Sequence, residues 1–255
     1  MSNFNEYSKY YDLFYEDKNY SKEVNFLLAL AKKHNIDTSN ILDLGCGTGM
    51  HAINFASNGS LVHGIDYSKT MIEGANILKD NLSKDISSKI NYSQGDIRDF
   101  KLHTKFDIIF SLFHVVSYLK HNNDILRAFK CIYDHLNDGG IFIFDYWYGP
   151  GVLWQRPSIR TKEIKKDDLT ITRHANPIIH FNHSIVDVNY DIKIKENNGK
   201  LIDQVKELHE MRYLFKNEID FAARLTGLEL IESGEWLTAN SLSEDCWTAY
   251  SILKK

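Results

Sequence analysis

The chain has little of what membrane, secreted or metal-binding proteins need. No apolar run approaches the roughly 20 residues of a membrane helix. The opening MSNFNEYSKYYDLFYEDK has no basic stretch followed by an apolar one, the pattern of a secretory leader. There are three cysteines, Cys46, Cys131 and Cys246, far apart and odd in number. That argues against a disulfide framework and for a reducing, cytoplasmic setting. No CxxC or HExxH spacing occurs, so no metal is expected. His180 and His183 are three apart in an extended stretch and are expected on opposite faces, not as a ligand pair. A basic excess is missing too: 30 Lys and Arg stand against 34 Asp and Glu, a net charge of -4. A duplex-binding protein would carry the opposite balance, so neither nucleic acid nor membrane is expected as a partner.

What is present is a globular α/β pattern. Hydrophobic residues make up 43% of 255, enough for one large core. Apolar positions at helical spacing predict helices over 21–34, 49–57, 69–79, 122–136 and 217–226, with Ser68 as an N-cap. Between them, short apolar runs predict strands at 41–44, 61–65, 90–93, 106–112 and 141–144, with a turn at Asp138-Gly139-Gly140. Two further strands are expected at 228–235 and 246–253. Strands alternating with helices imply a parallel sheet covered on both faces. Residues 150–215 break the rhythm. Val186, Val188, Tyr190, Ile192 and Ile194 alternate with polar residues, and Asn198-Gly199 follows as a turn. This block reads as an antiparallel insert within a single domain spanning 1–255. It is expected to cover the substrate or to offer a surface to a second copy of the chain. The run at 162–168 (KEIKKDD) reads as a solvated hairpin.

The chemistry-bearing stretch is residues 41–49, ILDLGCGTG. A buried strand feeds directly into Gly45, Gly47 and Gly49. Such a loop lets a ligand lie on the backbone, and the next helix offers free N–H groups. Asp43 precedes the first glycine by two residues. Asp66 ends the next strand, where a carboxylate can accept from both hydroxyls of a ribose. A dinucleotide fingerprint would want glycine at position 50, which is Met50 here, so a NAD-binding oxidoreductase is the weaker alternative. The segment GDIRD follows the third strand and puts Asp96 within reach of an adenine amino group.

The series ILDLGCGTG, GIDYS and GDIRD resembles the motifs of class I methyltransferases that use S-adenosylmethionine (SAM). The likeness covers about residues 1–148 and 216–255. It implies a seven-stranded Rossmann-like sheet with its last strand antiparallel. It further implies that Gly45, Cys46 and Gly47 lie along the methionine part of SAM, with Asp43 in the same cofactor-binding stretch, Asp66 at its ribose, and Asp96 and Ile97 around its adenine. Tyr67 and Met71 would pack on the other side, and Tyr20 would reach the SAM carboxylate. The N-terminal SKYYDLFYEDKNYSKEV, the aromatic DYWYGP and the insert together resemble nucleotide-aminosugar N-methyltransferases. That likeness implies a small-molecule acceptor faced by Tyr11 and by a residue after the fourth strand, Tyr118, with His114 one helical turn earlier. Trp147 and Tyr148 would stack on the sugar or base, or pack under the insert. Tyr7, Tyr10, Tyr11, Phe14 and Tyr15 form a stripe that serves either as core or as a lid. Arg156, Arg160, Arg173 and Arg212 suit a diphosphate by chemistry, though singly they read as surface charges. The acceptor is expected to be a nucleotide-linked sugar methylated on nitrogen or oxygen. The alternatives are another small metabolite, RNA or protein, or a SAM-binding subunit without activity.

Overall fold

The computed structural model describes residues 13–255. In chain order the first elements are α1 (Tyr20–Lys33), β1 (Asn40–Leu44), α2 (Met50–Ser57), β2 (Leu61–Asp66), α3 (Lys69–Asp80), α4 (Lys84–Ser87) and β3 (Ile90–Gln94). Then come β4 (Phe106–Ser111), α5 (Asn122–His135), β5 (Leu136–Trp147) and α6 (Gly149–Gln155). The insert is β6 (Arg160–Lys166), β7 (Leu169–His180), β8 (Ile185–Glu196) and β9 (Leu201–Arg212). The chain closes with α7 (Lys216–Thr226), β10 (Glu229–Glu235) and β11 (Thr248–Lys254).

Strand β1 explains the layering. It is buried on both faces, sending Ile41 to one side and Leu42 and Leu44 to the other. One layer packs Val24, Leu27 and Ala31 of α1 with Phe55 of α2. The opposite layer packs Ile125, Phe129 and Ile132 of α5 with Ile219 and Ala223 of α7. The sheet order is β10-β11-β5-β4-β1-β2-β3. The pairs β1–β2, β2–β3, β1–β4 and β4–β5 are parallel, whereas β11 runs antiparallel to both neighbours. The chain therefore reverses its direction of travel across the sheet between β1 and β4, where open α/β sheets place their ligands. Ser68 caps α3 as expected, accepting from Met71 N.

The insert forms a separate four-stranded antiparallel sheet in the order β6-β7-β8-β9. The alternation seen in β8 is its burial pattern: Val186, Val188, Ile192 and Ile194 are buried. Phe14 is fully buried against Ile171, Ile192, Ile194 and Val205, so this member of the aromatic stripe is core. Tyr7, Tyr10 and Tyr11 lie outside the described residues. Among the described residues no helix is long and apolar enough to cross a membrane.

Three expectations need correction. Asp138-Gly139-Gly140 is not a turn before a short strand but an irregularity inside a twelve-residue β5. Phe106 pairs with Leu136 and Ile108 with Ile141, and the surplus residues bulge at Gly139, whose φ is +82°. His114 and Tyr118 do not share a helix face. Val115–Tyr118 is a single 3₁₀ turn, and His114 precedes it in the left-handed region. His183 ends a 3₁₀ turn, Phe181–His183, so it is not in extended chain with His180.

Candidate active site

The glycine loop is shaped by what crowds it. Gly45 has φ +76°, and a Cβ there would fall 2.4 Å from a Val115 methyl. At Gly49, φ +85°, a Cβ would fall 2.1 Å from the Tyr92 hydroxyl. Only glycine meets both demands. The amides of Gly45 and Cys46 both donate to the Ile65 carbonyl, at 2.7 and 3.0 Å, locking the loop onto β2. Gly47 differs: its φ is +55°, but a Cβ there would meet nothing. Its open side belongs to the cavity.

Two buried carboxylates flank this loop. Asp66 Oδ2 accepts from Gly47 N and Oδ1 from Ser68 N, each at 2.8 Å. Burial pushes its carboxyl above the usual range against those two bonds. Asp43 lies beneath the loop, 1% exposed, and its Oδ2 has no hydrogen-bond partner. Burial pushes Asp43 up to about 6, with the His51 side chain opposing and the charge of Asp66 adding. Asp96 is differently placed. Arg98 binds both its oxygens through Nε and Nη2 and also reaches Asp124. Burial would raise the Asp96 carboxyl, but the bonds from Arg98 outweigh it and hold it low.

One cavity of about 540 Å³ joins these groups to the insert. Gly45, Cys46, Gly47, Asp66, Tyr67, Met71, Asp96, Ile97 and Tyr20 all line it. Tyr20 sits edge-on to His51 at 5.0 Å. His51 in turn meets Glu23 at 2.6 Å, and Lys18 meets the same carboxylate at 2.6 Å. Burial would raise Glu23, but the His51 hydrogen bond and the Lys18 charge win and hold it at about 2.

The far end is made of side chains. Phe113 and His114 are consecutive left-handed residues, φ +66° and +65°. Such conformations are costly outside glycine and need support from their surroundings. Asp145, at the tip of β5, supplies it. Its Oδ1 accepts from His114 N at 3.0 Å, and its Oδ2 lies 2.8 Å from His114 Nδ1, close but off line for a hydrogen bond. Tyr118 turns the other way, placing its hydroxyl 2.7 Å from His209 Nδ1 on β9. Trp147 lines the cavity and packs edge-on to Trp247 at 5.4 Å. Tyr148, its neighbour, is not among the lining residues and packs against the central core instead. Tyr15 lines the cavity, and Arg173 donates to its hydroxyl at 3.0 Å. None of Arg156, Arg160, Arg173 and Arg212 lines it; among the described residues, the lysine and arginine that do are Lys120 and Arg98. Tyr190, His209, Glu210 and Lys120 are lining residues that sequence reasoning did not single out. The alternation along β8 marks Tyr190 as inward-facing, but nothing marks it as part of a site.

These residues fit SAM. The donor carries a sulfonium and an ammonium, and the cavity presents the open face of Gly47 and the carboxylate of Asp66; Asp43 does not line the cavity but lies buried behind the loop with an unpartnered oxygen. The antiparallel β10–β11 pair also distinguishes the sheet from the dinucleotide-binding order of the oxidoreductase alternative. Residues 41–140 match a family model described as a methyltransferase domain. Sheet, site and match together define a SAM-dependent methyltransferase. The chain is 25% identical, over 90% of its length and 93% of the relative's, to a dTDP-3-amino-3,4,6-trideoxy-alpha-D-glucopyranose N,N-dimethyltransferase of Streptomyces venezuelae. In fold it resembles a SAM-dependent methyltransferase of Clostridium acetobutylicum, with TM-score 0.78, 20% identity and 96% of each chain covered. It also resembles the sugar N-methyltransferase KedS8 of Streptoalloteichus, with TM-score 0.78, 19% identity, and 95% and 92% covered.

Proposed function

We propose that this enzyme methylates the amino nitrogen of a nucleotide-linked sugar. The observation that carries the reading is the single cavity running from the glycine loop to the side chains of the insert. The relative that aligns over nearly the whole chain supports it, because its name gives an aminosugar as acceptor. SAM supplies a methyl already activated by its positive sulfur. The protein's work is then alignment, which can contribute roughly 7–11 kcal/mol in favourable cases. Asp66 and Gly47 would hold the donor. Trp147 and Tyr190 would form walls against the sugar. Two groups face the acceptor's proton. His114 keeps Nδ1 beside the Asp145 carboxylate, which leaves Nε2 for the acceptor, and Tyr118 presents its hydroxyl oxygen. Tyr11, expected beside them, lies outside the described residues.

The test is transfer from labelled SAM to dTDP-3-amino-3,4,6-trideoxy-α-D-glucopyranose, read as mass gains of one and two methyl groups. Transfer to a non-sugar amine but to no nucleotide sugar would replace this reading with a general small-metabolite one. The same reading places the enzyme in the cytoplasm, in keeping with three unpaired thiols. It also includes a homodimer through the insert. Exposed Ile202 and Leu208 on the edge strand β9 support that part, and light scattering on Leu208→Glu tests it.

A further inference from the structure

A buried polar chain leaves the cavity and enters the insert. The Tyr118 hydroxyl is 2.7 Å from His209 Nδ1, and His209 Nε2 is 3.1 Å from Glu207 Oε2. His209 is 2% exposed, edge-on to the rings of Tyr118 and Tyr190 at 5.9 and 4.9 Å. Tyr118 and His209 both line the cavity. A carboxylate only accepts, so Glu207 fixes the hydrogen on Nε2 and leaves a lone pair on Nδ1. Tyr118 therefore donates its one hydrogen to Nδ1. What its oxygen retains is capacity to accept, from an N–H or O–H in the cavity.

We propose that Tyr118, His209 and Glu207 form a relay that removes the proton of the methyl acceptor. The proposal rests on reading the cavity as a site of transfer to an amine. One proton moves at each link. The acceptor's N–H bond breaks as an O–H bond forms on Tyr118, while Tyr118's original O–H breaks as an N–H forms on His209 Nδ1. The acceptor nitrogen keeps the electron pair, which then attacks the methyl carbon. The new imidazolium charge lies against Glu207. That carboxylate's side chain is 12% exposed, the outer end of the chain, and the proton is released there between turnovers. Tyr118 touches the acceptor; His209 and Glu207 are positioning residues acting through it.

Burial pushes the Tyr118 phenol well above its ordinary range, so a standing tyrosinate is not the base. The paired handover keeps the phenol neutral throughout. Among the described residues, the other ionisable groups facing this chain include Tyr190 on β8, Tyr15 ahead of α1, Asp66 across the cavity, Arg173 bonded to Tyr15, and the Lys120–Glu210 ion pair.

Two measurements test the relay. Nitrogen-15 spectra of histidine-labelled protein, assigned by difference with His209→Asn, are expected to show a neutral Nε2–H ring whose signals move in Glu207→Gln. This needs no acceptor, and an Nδ1–H ring overturns the proposal. The second uses dTDP-3-amino-3,4,6-trideoxy-α-D-glucopyranose. Asn at 209 still accepts from Tyr118 but cannot take a proton. Its kcat is expected to fall about 100-fold, within the usual range for acid–base assistance. KM and SAM affinity should stay within twofold. The acid limb of the kcat profile should move to higher pH, because solution must then deliver the free amine. Glu207→Gln should lose about tenfold and move that limb to lower pH, because the imidazolium loses its counter-charge. An unchanged kcat profile in His209→Asn overturns the relay. No turnover by the wild type on any nucleotide aminosugar overturns the functional reading instead, and the nitrogen spectra then still decide the polarity of the chain.

Discussion

The two ends of the cavity are built from different materials. The end that our proposal gives to the donor is backbone and buried carboxylate. Gly45 and Cys46 hang from one carbonyl, Asp66 is clamped by two amides, and Asp43 is sealed below with an oxygen to spare. The acceptor end is side chain, drawn from the 3₁₀ turn, β5, β8 and β9. The first arrangement is rigid and general, suited to one unchanging ligand. The second can be altered residue by residue without disturbing the sheet. Binding of the donor and turnover of the acceptor should therefore separate under mutation.

The largest effect should come from His114→Ala. We expect kcat to fall about 100-fold or more while calorimetry finds SAM affinity unchanged. A parallel loss of SAM binding would erase the distinction between the ends. Asp66→Ala should do the reverse, weakening SAM by about 1–3 kcal/mol through lost hydrogen bonds, with kcat at saturating SAM much less affected. Asp43→Asn sharpens the comparison, since it tests the cost of a functional carboxylate. The Asp43 pKa is raised in the folded state. Its contribution to stability is thus full below the ordinary carboxylate range and lost as pH rises through about 6. Without ligand, Asp43→Asn should be more stable than wild type at pH 8 by on the order of 1–3 kcal/mol. Thermal melts should show the gain vanish toward pH 4, and SAM should bind the variant less tightly. The smallest effect is expected at Asp96→Asn. Arg98 already occupies both oxygens, so SAM affinity should change by less than about 1 kcal/mol. A loss equal to that at Asp66 would mean that Asp96 meets the adenine directly.

The same difference decides what could be read beforehand. The donor end is written in runs of a few residues at successive strand tips, where a strand, a glycine and an acid suffice to place a ligand. For that reason the glycine loop, Asp66 and Asp96 could be expected at one cavity, which they line, and so could the sheet around them. The capture of Asp96 by Arg98 was not, although both stand in GDIRD, because composition does not say which neighbour a carboxylate faces. The acceptor end needs long-range closure. Tyr118 and His209 are 91 positions apart and meet only when the insert folds over the sheet. The corner at Phe113 and His114 depends on Asp145, 31 positions away. Helical spacing put His114 and Tyr118 on one face; the corner sends one to β5 and the other to β9. The alternation of β8 disclosed the insert but not which of its inward residues reach the cavity.

That corner has a consequence for how such an enzyme can change. The carboxylate of Asp145 grips the main chain at position 114 through its amide, whatever ring stands there. The bend is thus a socket whose aim is set from behind. A different side chain placed in it would inherit the direction of the imidazole, so new acceptors can be tried at this position without rebuilding the scaffold that points toward them.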